Sequence, residues 1–388
     1  MRNDVFCPSE TIESLLLERF GGDLHKKQIL SLANATEGVI GSASLAIGVI
    51  GQSLAQAQGL NPKHAIKQVD RLVGTMKFKP WDLFARHVPT TVGDRKKIVV
   101  AMDWTDFDHD EQSTIALHLV EKHGKSQPLI WLSVWKYELK DQRNDFEDAC
   151  LQRLKECLLP DVAVTVLADR GFGDRKLFHY LKEELGFDYV IRFKGNITVA
   201  SQAGESKPAQ DWLNGRKRGQ TVKLKHATIT AREEKIGAVV CVHDKGMEDP
   251  WYLATSLADE TARQIIDLYA SRWSIETSFR DTKDIRFGMG LSAVHVGEPE
   301  RRDMMLLLNA LAIHFLLFLG IASEKTGMDR RLKSSSTTRR THSLFRQGCM
   351  VYDLIPTMRD EWLMPIIEEF SKLIKEAGYI TCILENLE

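Results

Sequence analysis

The chain has 388 residues, 43% hydrophobic and 27% charged, which suits a soluble globular protein of several domains. Its 52 basic residues nearly cancel its 53 acidic ones, so net charge neither assigns nor excludes a nucleic-acid partner. The cysteines at 7, 150, 157, 241, 349 and 382 form no Cys-x-x-Cys pair, which argues against a disulfide framework or zinc site and for reduced thiols in a cytoplasmic protein.

Residues 1–95 read as a helical region with few strand signals. Its first segment, SETIESLLLERF, carries a helical apolar pattern, and no apolar stretch behind Arg2 suggests a signal peptide. In HAIKQVDRLVGTMKF, Ile66, Val69, Leu72 and Val73 recur at helical spacing with Lys67 and Arg71 between them and Lys63 just before. Those cations are either a solvated face or contacts to DNA.

At 97 the texture changes. KIVVAMDW is a continuous apolar run ending in an acid, as in a strand buried on both faces. TIALHLV (114–120) and PLIWLSVWKY (128–137) follow as strands able to form an antiparallel meander with it. A helix over 143–159, the strand VAVTVLAD at 162–169, a helix over 174–185 and the strand FDYVIRF complete an α/β unit over 96–193, whose first and fourth strands can lie parallel. Residues 194–262 are punctuated by Asn214-Gly215 and Lys245-Gly246 between strand-like pieces (TVKLKHATITA, AVVCVHD, WYLATSL) and read as a β-rich insertion.

The α/β unit is expected to resume over 263–322. The apolar run MMLLLNALAIHFLLFLGIA (304–322) has the length of a membrane span, but Asn309 and His314 interrupt it, and a core helix is the expectation. Residues 323–388 read as a basic linker and helical tail.

The stretch IIDLYASRWSIETSFRDTKDIRFGM (265–289) is unusual as a helix. Wound continuously, it places Tyr269, Arg272, Arg280 and Lys283 within about 40° of Glu276, interrupting the arc that carries Ile265, Leu268, Trp273, Ile275 and Phe279. An i,i+4 ion-pair ladder through Arg272, Glu276 and Arg280 accounts for such charges on a wet face. On an apolar arc they cost several kcal/mol each, by order of magnitude, unless compensated.

Two strands end on aspartate, Asp103 in AMDWTDF and Asp169 in LADRGFGD. Acids at the C-terminal ends of parallel strands project into the crevice where open α/β sheets carry their sites. With Glu276 they make three carboxylates able to converge, a cluster unstable without bound cations, and hard divalent ions prefer such oxygen ligands. Singly, each acid is equally explained as a turn or local ion pair. Asp106, Asp108 and Asp110 resemble the start of an EF-hand loop, but Glu111 and Leu117 occupy the positions where that loop requires Gly and Glu, so an acidic turn is the better account.

The spacing of Tyr269, Arg272, Glu276 and Lys283, with Asp103 ending the first strand and Asp169 in Asp-Arg-Gly-Phe, resembles the Tyr-Arg-Glu-Lys signature and Asp-Asp-Glu triad of insertion-sequence-four transposases. The stretch Arg339-Arg340-Thr-His-Ser-Leu-Phe-Arg-Gln-Gly348 is similar to that family's C-terminal motif, and the resemblance covers roughly 60–348. It implies an RNase H-like mixed-sheet core interrupted by the β-rich insertion and flanked by helical terminal regions. It further implies Asp103, Asp169 and Glu276 as catalytic ligands of two Mg²⁺ ions, for which Mn²⁺ can substitute. Arg272 and Lys283 would then hold phosphate, Tyr269 would meet the same backbone, and Trp251 would stack on a displaced base. A core Trp of a β unit is the alternative for Trp251.

The implied activity is cut-and-paste DNA transposition by a homodimer on double-stranded DNA, with no membrane partner and no nucleotide cofactor. A hydrolytic nuclease of the same fold and a catalytically silent DNA-binding protein are the rivals. Two tracts, 330–346 and 214–232, each hold six Lys/Arg and no acid, a composition suited to phosphate contact or to a solvated loop. The first contains Arg339 and Arg340.

Overall fold

The computed structural model describes residues 8–375 apart from 76, 122–124, 231–233, 287 and 338. The N-terminal region is helical as expected: α1 (Pro8–Phe20), α2 (Lys26–Ser42), α3 (Ile47–Gln58), α4 (Pro62–Val73) and α5 (Pro80–Val92). Asn61 caps α4 by accepting from the Lys63 N–H, and Pro62 follows at a position whose N–H needs no partner.

The meander forms as its apolar runs require, from β1 (Lys97–Phe107), β2 (Gln112–Glu121) and β3 (Lys125–Trp135). Helix α6 (Arg143–Cys157) leads to β4 (Ala163–Ala168), which pairs parallel with β1. Helix α7 (Arg175–His179), extended by a π turn to Glu184, leads to β5 (Asp188–Arg192), parallel to β4. The resulting order β3-β2-β1-β4-β5 is that of an RNase H-like core.

The segment expected as an insertion divides in two. β6 (Thr198–Ala200), β7 (Ser206–Pro208), β9 (Thr228–Ile229) and β10 (Glu234–Lys235) form a small separate sheet. β8 (Thr221–Lys225), β11 (Ala238–Val242) and β12 (Trp251–Thr255) instead extend the central sheet, which reaches eight strands among the described residues. The physical reason lies at β5, whose open edge β12 closes in antiparallel register from Leu253↔Arg192 to Thr255↔Val190. AVVCV is buried throughout, the signature of an interior strand.

Helix α8 (Ala262–Ala270) covers this part of the sheet, setting Ile265, Ile266 and Tyr269 against Leu167, Val190, Val240, Val242 and Leu253. It is followed by α9 (Trp273–Lys283), α10 (Pro299–Lys325), α11 (Leu344–Leu354) and α12 (Asp360–Lys375). Helix α10 is long and apolar enough to cross a membrane, but most of that length is buried against β3, α2, α11 and α12. It is the core helix expected at 304–322. A Cβ on Gly348 would strike the Leu316 carbonyl, and one on Gly320 the Leu344 carbonyl, so α10 and α11 cross with their backbones in contact. Cys150, Cys157, Cys241 and Cys349 are free and buried; Cys7 and Cys382 lie outside the described residues.

Candidate active site

The register of β1 on β4 runs through Ala101↔Leu167 to Met102↔Ala168. The next step sets Asp103 beside Asp169 on neighbouring strands, whose spacing is about 4.8 Å. The Asp103 side chain is 18% exposed. One of its oxygens accepts from the Trp104 N–H at 2.9 Å and the other from Arg272 Nη1 at 3.0 Å. Burial raises the Asp103 carboxyl from 3.8 to about 6, with Arg272 opposing the rise and Asp169 and Glu276 adding to it. Asp169 accepts the Gly171 N–H at 2.7 Å, which turns the chain sharply out of β4.

Glu276 reaches this place because α8 and α9 are not one helix. Around Arg272 the hydrogen bonds tighten to i−3: Arg272 N–H donates to Tyr269, Ser274 N–H to Ser271 and Ile275 N–H to Arg272. The joint resets the helical phase, so the single continuous face expected from the sequence is absent. Trp273, expected on the apolar arc, is 53% exposed, while the polar Ser274 beside it is buried.

Helix α9 is held on the sheet by polar contacts. Ser126 donates to the Ser274 carbonyl at 3.1 Å, and its hydroxyl lies 3.2 Å from His118 Nδ1. Asn309 of α10 donates to the Thr282 hydroxyl at 3.1 Å.

Arg272 gathers the site. Its buried guanidinium donates from Nη1 to Asp103 and, at 2.6 Å, from Nη2 to Glu276 Oε1, and it lies 5.9 Å from the Tyr269 ring centroid. Its Nε is buried without a partner. Glu276 itself is 41% exposed. Asp103, Asp169, Glu276 and Arg272 thus share one end of the sheet, with Tyr269 behind the arginine.

Other candidates lie elsewhere or are otherwise engaged. Lys283 donates to the Thr105 hydroxyl at 3.0 Å and the Asp106 carbonyl at 2.6 Å, and its ammonium sits 4.7 Å from the Phe107 ring centroid. Trp251, at the start of β12, packs edge-on against Tyr269 with centroids 5.0 Å apart. This contact joins it to the core under α8. Arg280 is exposed at the end of α9. Lys63, Lys67 and Arg71 line an exposed face of α4. Arg339 is exposed and Arg340 forks onto Glu324. In the 214–232 tract, Arg216, Lys217 and Arg218 stand exposed in the turn before β8.

The support beneath Asp103 has no signature in the sequence. The Trp104 indole donates to buried Glu147 of α6 at 2.8 Å, Arg143 donates to the same oxygen at 3.2 Å, and the Arg143 guanidinium lies 5.2 Å from the Trp104 ring. A Glu buried on an α6 otherwise rich in solvated charge carries no marker in the sequence. Asp110, expected in an acidic turn, is buried and bonded to Arg302.

Three carboxylates and one guanidinium leave a deficit of about two positive charges. Oxygen donors at a strand end, open toward solvent at Glu276, are the ligands that a hard divalent cation takes. A divalent cation therefore suits Asp103, Asp169 and Glu276 by charge and donor type. Arg272 already occupies part of that role. Among the described residues, the group whose three ligand atoms lie within 4.8 Å of one another is a different one, at His109, Asp110 and His295.

A family model described as a transposase DDE domain matches residues 94–315, from the approach to β1 into α10 and more than half of the chain. No curated protein matches the chain.

Proposed function

Because the chain belongs to the transposase DDE-domain family, we propose that it is a cut-and-paste DNA transposase whose catalytic acids are Asp103, Asp169 and Glu276. The observation that carries this reading is the Arg272 bridge between Asp103 and Glu276, with Asp169 adjacent in register. The family uses divalent metal, and the three acids are the residues that would hold it, as two Mg²⁺ ions or Mn²⁺ in their place. When bound, such ions would neutralise charge on the attacking and leaving oxygens of an in-line phosphodiester displacement.

The chain's own residues supply position. Trp104, pinned by Glu147, fixes β1 next to Asp103 and donates its N–H to Asp103. Gly171 holds Asp169 in one orientation. A cation at the acids would free the Arg272 fork, whose Nη groups and unpartnered Nε match a phosphate's paired oxygens. Lys283 stands two residues along β1, on the face that Asp103 shares with Thr105, as a point charge for the neighbouring backbone. Tyr269 packs its ring beside the Arg272 guanidinium. In the proposed reaction, hydrolysis at an element end frees a 3′-OH, which then attacks a second phosphodiester, finally in target DNA.

The exposed Lys63, Lys67 and Arg71 of α4 suit binding to the terminal inverted repeat, and the exposed cations at 216–218 and 339 suit the backbone. Arg280 joins these contacts at the rim, and Trp251 supports Tyr269 instead of standing free for a base. A homodimer on two element ends completes the reading.

The test incubates the protein with labelled element ends and Mg²⁺, then with a pre-cut 3′-OH end and a target plasmid. Asp103→Asn, Asp169→Asn and Glu276→Gln proteins should bind ends yet neither nick nor join them. Nicking at the wild-type rate by any of the three would overturn the assignment, and nicking without joining by the wild type would favour a nuclease.

A further inference from the structure

Beyond the far end of β1, the turn at Asp108–Asp110 meets the segment that leads into α10. There a second group of ligating side chains converges, which the proposed reaction does not use. His295 Nδ1 lies 2.6 Å from Asp110 Oδ1, and His109 Nδ1 lies 3.4 Å from the same oxygen. One ligand atom from each residue falls within 4.8 Å of the other two. The two imidazoles are 81% and 72% exposed for His109 and His295, with ring centroids 5.8 Å apart and planes near perpendicular, so the point they face opens to solvent.

The carboxylate beneath them is held from behind. Asp110 Oδ2 accepts from Arg302 at 2.5 Å and from the Val296 N–H at 3.2 Å. Arg302 is fully buried, donates from Nε to Gln112 at 2.7 Å, and lies 3.7 Å from the Phe107 ring centroid. Gln112 in turn donates to the Val296 carbonyl at 2.9 Å.

This arrangement separates two tasks. Arg302 supplies the charge that a buried Asp110 needs, so the histidines are not required as counter-ions. What they add is two imidazole nitrogens gathered at Oδ1, the oxygen of the oriented carboxylate that Arg302 and Val296 do not take. We propose that His109, Asp110 and His295 bind a divalent transition-metal ion of the Zn²⁺ class.

Two imidazoles and one carboxylate, with outward positions left for water, suit Zn²⁺, Co²⁺ or Ni²⁺ and not Mg²⁺, which prefers all-oxygen shells. Arg302 and the Val296 N–H orient the ligating carboxylate, as partners behind metal ligands commonly do. The site is separate from the acids at Asp103: four residues of extended β1 to Phe107 alone span about 13 Å. Bound metal would tie the turn after β1 to the lead-in of α10, joining ligands 185 residues apart. It would thereby stiffen the strand that carries Asp103 from its outer end.

The experiment titrates Zn²⁺ by calorimetry, and Co²⁺ by visible absorption, into the full chain carrying Glu276→Gln and Asp103→Asn, so that the other acids take little metal. The expected result is a single ion per chain, retained in excess Mg²⁺. Affinity should fall roughly tenfold or more in His109→Ala or His295→Ala. Both rings are exposed, so these variants should keep the parent's circular dichroism and denaturation midpoint in the absence of metal. Absence of stoichiometric binding, equal affinity in the double histidine variant, or displacement by Mg²⁺ would each overturn the site. None of these readouts depends on transposition activity.

Discussion

Replacing Asp103 with Asn measures what the acid cluster costs the protein in the absence of metal. The Asp103 carboxyl ionises at about 6 in the folded chain against a usual 3.8. Between those values the folded state holds the proton more tightly than the unfolded state, so stability falls as pH rises through that window and stays reduced above 6. About two pH units at about 1.4 kcal/mol each put the cost of keeping this carboxylate charged near 3 kcal/mol. Asn carries no such cost. It retains one acceptor where Asp103 uses two, for Trp104 and Arg272, and the lost bond takes back about 1 kcal/mol. The variant should therefore be more stable than wild type by about 2 kcal/mol near neutral pH, and about equal to it near pH 4.5. Urea denaturation with EDTA at the two pH values provides the assay. An Asn variant no more stable than wild type at neutral pH, or a gap independent of pH, would refute the reasoning.

Replacing Arg272 with Gln removes the cation already bonded to Asp103 and Glu276, so Mn²⁺ should bind the DNA-free protein more tightly, roughly tenfold by calorimetry, while end cleavage falls about a hundredfold. Arg302→Met leaves Asp110 buried without its guanidinium and should cost about 3–5 kcal/mol in denaturant titration. Gly348→Ala pushes a methyl group into the Leu316 carbonyl and should cost about 1–3 kcal/mol. Burial lowers His118 from 6.5 to about 3, so its contribution is intact above 6.5 and is lost as pH falls toward 3. His118→Gln should spare about 3 kcal/mol of that loss by pH 4, moving the midpoint of acid unfolding downward.

The strands that build the site were legible because burial leaves continuous apolar runs, and Asp169 follows β4 directly. β1, expected to end on Asp103, instead runs four residues further to Phe107, because its later residues pair with β2. The parallel partnership of β1 and β4 followed from the helix between the meander and β4. The break between α8 and α9 was not legible: Ser271 and Arg272 are tolerated in helices, and only the tightened bonds at the joint reset the phase. That reset moved Trp273 outward and Ser274 inward. The pairing of β12 with β5 was hidden because alternation and burial identify a strand without naming its neighbour. The burial of Asp110 in its acidic turn was hidden because its partner Arg302 lies far along the chain and looks like one more charge before an apolar helix.

The most direct measurement follows Mn²⁺ binding by electron paramagnetic resonance on the protein complexed with an element end. The account predicts tight binding by wild type and a loss of roughly tenfold or more in each of Asp103→Asn, Asp169→Asn and Glu276→Gln. Undiminished binding in any one of them would show that the residue lies outside the metal's reach and would contradict a site built from all three.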